Sequence, residues 1–225
     1  MAKIKMPKGT PSLDMTPMVD LAFLLVTFFM LNANFRSNEP VDVSIPSSIG
    51  DKEIPQKTLI LVTVDNRGRV FFNATGEEVR KNVLAKMIDK YKVKLSPKQF
   101  DEFMKISSIG CTMAELPQYL SVDNEGRKRF ETNGIPADTV GKRNELKDWL
   151  YFANEEMLNY GKVKFQEDSE NPPSDKPVLA EDYKPKFVLK VEANVEYAYA
   201  KMVIETFRDL NFNNLHFVTS QEAKP

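Results

Sequence analysis

One cysteine, Cys111, stands among 225 residues, so no disulfide can close within the chain. We expect that thiol to be buried and inert rather than to pair between chains. One histidine, His216, has no Cys or His companion at ligand spacing, which argues against zinc. Flanked by Leu215 and Phe217, it reads as an ordinary strand residue. The net charge is only -1 with 28 % charged residues, so there is no basic footprint for a nucleic acid. No Gly-rich phosphate loop, nucleophile elbow or Cys-x-x-Cys pair occurs, so no soluble enzyme is indicated. No metal or cofactor is expected.

Long apolar runs are also scarce, and the mean hydropathy is -0.39. The exception lies near the N-terminus, where Leu21–Leu31 reads LAFLLVTFFML. Extended over residues 15–35 it covers ~21 residues, or ~31 Å as a helix, about the thickness of a hydrocarbon core. Lys3, Lys5 and Lys8 precede it, and Arg36 and Glu39 nearly cancel after it. The positive-inside rule then puts residues 1–14 in the cytoplasm and everything after the helix on the far side, the periplasm of a double-membrane bacterium. A cleaved signal peptide would share the basic start and apolar core. Asp14 and Asp20 do not suit one, Pro17 precedes the core, and Asn32-Ala33-Asn34-Phe35 makes a poor cleavage site. A retained anchor is the better reading.

Residues 36–58 read as a linker. Within it Val41-Asp42-Val43-Ser44-Ile45-Pro46 alternates as a short extended strand. From residue 59 onward we expect an α+β domain with a small mixed sheet. Leu59–Val64 is a strand, Asp65–Gly68 a hairpin turn and Arg69–Phe72 its return. Thr75 and Glu78 suggest a capping box, followed by the apolar face Val79, Val83, Leu84, Met87 and Ile88. Ser96, Pro97 and Gln99 signal a second helix start. A short helix fits within Met113–Leu120, with Pro117 in its first turn. A stronger helix spans Arg143–Tyr160, with Leu146, Trp149, Leu150, Ala153 and Met157 along one side. Residues 166–186 are acidic and proline-rich and read as a surface loop. A strand at Phe187–Val191, a helix at Val195–Leu210 and a strand at Leu215–Thr219 close the domain as a βαβ unit.

Chemistry concentrates at Asp20, the carboxylate that heads the apolar run. An ionised carboxylate at mid-membrane costs ~2.5–3.5 kcal/mol on insertion scales, so such a residue faces protein or a wet path. Asp20, Thr27 and Asn34 are seven apart and share one helical stripe, with Thr16 on the same side. A single helix cannot shield that stripe, so at least one partner helix is implied. Spacing leaves two roles open: a proton carrier, or a charge at the helix start that snorkels to the interface. Pro17 marks either the helix start or a wedge already inside the membrane.

Leu13-Asp14-Met15-Thr16-Pro17-Met18-Val19-Asp20-Leu21 resembles the membrane signature of the ExbD/TolR family. Val41–Pro46 resembles the short extended motif that follows the helix in that family. Leu59–Phe72 resembles its first periplasmic hairpin, and Phe187–Thr219 its closing strand-helix-strand. Residues from about 93 to 185 exceed the family pattern and read as a mainly helical insertion. The resemblance implies a homodimer inside a ring of a multi-helix ExbB-like protein in the inner membrane. It implies that Asp20 is the protonatable residue, that Val41, Val43, Ile45 and Pro46 form a partner-contact motif, and that work passes to a TonB-like protein for outer-membrane transport. A TolR-like role with peptidoglycan contact remains an alternative, as does an anchored binding or scaffold protein. A retained anchor makes one direct prediction: N-terminal mass analysis of the mature chain recovers peptides containing Lys8 and Asp20, and a chain starting after residue 32 would refute it.

Overall fold

A computed structural model describes residues 16–32, 47–48, 58–138, 144–170, 178–192, 194–212, 214–218 and 220–221. The chain divides into two compact units, Met1–Ser37 and Asn38–Pro225.

The first unit contains helix α1, Thr16–Asn32. Pro17 is its second residue, where the missing N–H would have had no helical partner. Apart from the side that carries Asp20 and Thr27 the helix is apolar, and Val19, Phe23 and Met30 are 60 %, 70 % and 74 % exposed. Its 17 residues amount to ~26 Å at the helical rise. Among the described residues, no helix is long and apolar enough to cross a membrane. Met15 and residues 33–35, the ends of the expected span, lie outside the described residues.

The second unit is α+β, as expected. Its main sheet takes β2 (Leu59–Val64), β3 (Val70–Ala74), β4 (Lys186–Val191) and β5 (Leu215–Val218) in the order β3-β2-β4-β5. β2 and β3 form an antiparallel hairpin, while β2–β4 and β4–β5 are parallel. A separate parallel pair joins β1 (Ser47–Ser48) to β6 (Ser220–Gln221). Period-two alternation and the register place Ile60, Val62, Val64, Phe72, Ala74, Phe187 and Leu189 on one face. All seven belong to the core.

Helices cover that face. They are α2 (Glu77–Tyr91), α3 (Pro97–Lys105), α4 (Leu116–Ser121), α5 (Asn124–Arg129), α6 (Glu145–Glu170) and α7 (Tyr197–Asp209). Leu146, Leu150, Ala153 and Met157 of α6 have no exposed surface. Each large apolar side chain so buried contributes about 1.5–3 kcal/mol. Phe207 of α7 meets Phe187 edge-on at 5.7 Å, which seats the β4-α7-β5 crossover.

Three expectations are corrected. No capping box forms at Thr75 and Glu78, because the Thr75 N–H donates to Leu59 O at 2.9 Å and extends the hairpin. The helix instead begins after Gly76, whose φ of 93° suits glycine, and no side chain caps it. The return strand starts at Val70 and runs on to Ala74, not Arg69–Phe72. Finally, α6 extends ten residues past Tyr160, so Gln166–Glu170 are helical rather than loop. A contact distant in sequence explains the extension: Gly161 lies against the 3-10 turn at Ala180–Tyr183, and Tyr183 Oη bonds Asp168 at 2.5 Å. The helix start read at Ser96, Pro97 and Gln99 is borne out, and Ser96 and Gln99 close a capping box there. Helix α5 had no separate signal.

A Cβ on Gly161 would sit 2.0 Å from the backbone oxygen of Tyr183. Helix propensity alone would favour alanine by ~1 kcal/mol, whereas overpacking costs ~1–3 kcal/mol. Gly161→Ala should therefore lower the urea midpoint, and a raised midpoint would show that the approach is not tight.

Candidate functional site

Helix α1 brings Thr16, Asp20 and Thr27 onto one element, at separations that fall within about 40° of one another around the axis. Asp20 is exposed. It is the fifth helical residue, and no acidic residue lies in the first turn. Helix-dipole attraction falls off within that turn, so it supplies little reason for a carboxylate at this depth. Thr27 is only half exposed, because its side chain folds back on the helix. Its Oγ1 donates to Phe23 O at 2.9 Å and Leu24 O at 3.0 Å. The hydroxyl proton is thus satisfied without a neighbouring chain. Asn34, Val41, Val43, Ile45 and Pro46 lie outside the described residues.

The second unit has a different concentration of polar groups. An open cleft of about 870 Å³ lies between the end of α2, the 112–115 and 133–138 segments and the start of α6. Glu115, Asp138, Glu145, Asp148 and Asp209 line it. Several are engaged in the fold. Glu145 Oε2 accepts the Met113 N–H at 2.8 Å, and Asp148 accepts Tyr91 Oη at 2.7 Å and Lys90 Nζ at 2.6 Å. Burial, then the Asp148 bond, pushes the Tyr91 phenol well above its ordinary value. Apart from Glu145 and Asp148, neighbours on α6, these carboxylates come from separate segments that spacing could not have gathered. Among the described residues, no group of three or more His, Cys, Asp or Glu side chains could hold a metal ion.

Sequence reading also passed over Asp65, which it placed in the hairpin turn without a role. The residue is 1 % exposed. Its carboxylate accepts the N–H groups of Arg67 and Arg69 and both Nε and Nη2 of Arg69. It holds the turn and is fully engaged there. His216 lies within β5, half buried, as an ordinary strand residue.

In chain order, an apolar helix with one carboxylate precedes the strands of a small mixed sheet. Residues 6–99 match the model of a family of biopolymer transport proteins. That family is ExbD/TolR, and residues 6–99 are what the chain shares with it. The match takes in α1, the β2–β3 hairpin, α2 and the start of α3. No curated protein and no solved structure matches the chain.

Cys111 is 1 % exposed, and burial pushes its thiol well above the ordinary value, with Glu115 and Glu145 adding to the rise. The native chain should resist thiol reagents at pH 8 and react only on unfolding. Rapid labelling under native conditions would contradict that.

Proposed function

We propose that the chain is a membrane-anchored stator subunit in which Asp20 carries protons. The match of residues 6–99 to a biopolymer transport family supports an energising role, and this reading includes no enzymatic step. The observation that carries the finer reading is Asp20 itself, a carboxylate beyond the first turn of a helix otherwise apolar across residues 21–26. In this reading residues 15–35 form the anchor, with the N-terminus cytoplasmic and residues 59–225 periplasmic.

The mechanism follows from what the two protonation states need. The carboxylate requires a polar partner or water, while the neutral acid can pass an apolar zone. Protonation releases Asp20 from a polar site on a surrounding multi-helix partner of ExbB type, and the helix moves past an apolar sector. Deprotonation toward the cytoplasm re-engages it. One charge crossing 100 mV yields ~2.3 kcal/mol, comparable to the ~2.5–3.5 kcal/mol of a carboxylate unpaired in lipid. The gradient is therefore able to drive each step.

Two such chains within the partner ring would pass work to a TonB-like protein that opens outer-membrane transporters. A Tol-type envelope role uses the same chemistry with a different recipient, and affinity capture of a TonB-like or a Tol protein separates the two. Asp20→Asn should abolish energised uptake while the complex still co-purifies. Uptake retained in that variant would sink the mechanism.

A further inference from the structure

Asp20 sits four residues from the start of α1, and twelve residues, ~18 Å, separate it from the helix end at Asn32. Between Leu21 and Met30 every side chain is apolar except Thr27. A proton bound for Asp20 from the C-terminal side therefore meets, between Met30 and Asp20, one polar side chain on this element. Thr27 lies seven residues on, within about 20° of Asp20 around the axis and ~10 Å along it.

The geometry of that hydroxyl is specific. Its own proton is committed to Phe23 O and Leu24 O. The oxygen is left as an acceptor, with lone pairs turned away from the backbone. A water donating to Thr27 keeps its own oxygen free to receive a proton and its second hydrogen free to pass one on. About three waters at ~2.8 Å spacing would span the gap to Asp20.

We infer that Thr27 is a positioning residue on the proton path, an acceptor that orients water toward Asp20. This rests on the reading of Asp20 as the proton carrier. The step balances without another reactant. A hydronium at the Thr27 end gives up a proton along the water chain, Asp20 takes one up and becomes neutral, and a water remains where the hydronium stood. Thr27 itself neither gains nor loses a proton.

The test uses the full chain with its multi-helix membrane partner in proteoliposomes, with proton influx read by an enclosed pH dye under an imposed potassium potential. Four variants are compared with the parent: Thr27→Val, Thr27→Ala, Thr27→Ser and Asp20→Asn. Thr27→Val keeps the shape and removes the oxygen, and it should lower influx about tenfold, the effect of one hydrogen bond lost at the limiting step. Thr27→Ala, a second removal of the oxygen without β-branching, should do the same, while Thr27→Ser should restore influx to near the parent rate. All must co-purify with the partner to the same extent. Parent-level influx in both Thr27→Val and Thr27→Ala, with Asp20→Asn inactive, overturns the inference and leaves the Asp20 reading intact. An equal loss in Thr27→Ser and Thr27→Val also overturns it, since the oxygen would then not be what matters. Parent-level influx in Asp20→Asn removes the carrier reading, and this inference with it.

Discussion

The core of the second unit depends on where Trp149 goes. The indole stands between Phe72 of the hairpin, 5.3 Å away, and Phe103 of α3, which stacks on it at 6.4 Å and 11°. It is 1 % exposed. One side chain of α6 therefore binds the sheet and α3 into a single apolar interior. Aromatic pairs of this kind contribute about 0.5–1.5 kcal/mol each beyond the area they bury. Arg80 reinforces the same seam from α2. Its guanidinium lies over the Phe103 ring at 5.3 Å and donates to Phe103 O at 2.7 Å and to Ile106 O. It thereby holds the C-terminal end of α3.

This seam bears on the residues beyond the family match. The matched segment ends at residue 99, yet Phe103, Trp149, Leu150 and Met157 share one core with Val62, Phe72 and Val83. Helix α6 packs along α2 and also reaches β2 and β3. The middle of the chain is thus part of the same packed body as the hairpin, not an appendage to it. Ion pairs decorate the α2–α6 contact, with Lys86 held between Glu155 and Glu156 and Lys90 on Asp148. Their partial exposure leaves them worth little beside the apolar contact.

Helix α1 obeys the opposite constraint. Its large apolar side chains from Met18 to Met30 are more than half exposed. An ionised carboxylate among apolar side chains is held only where its surroundings offer a polar route. Thr27 shows the alternative open to a small hydroxyl, which satisfies itself on the backbone one turn back. Asp20, an acceptor once ionised, cannot do the same, because backbone carbonyls offer it no donor.

The α+β class, the α1 helix, the β2 strand and the helix start at Ser96 were legible, because each depends on local period or on residues three apart. The single carboxylate on the apolar helix was legible for the same reason, together with the signature Thr16-Pro17-Met18-Val19-Asp20 around it. What the sequence did not reveal depends on contacts between distant residues. The Leu59–Thr75 bond cancels a capping box that the local residues favour, and Gly161 against Tyr183 carries α6 into a stretch whose composition reads as loop. The cleft carboxylates come together only when the 112–115 and 133–138 segments and the end of α7 meet the start of α6. Sequence by itself determined the principal helices and strands and where the one isolated charge lies, since side-chain period and chemistry are local properties. Tertiary structure alone decided where those segments stop and which polar groups meet, since both are set by partners far along the chain.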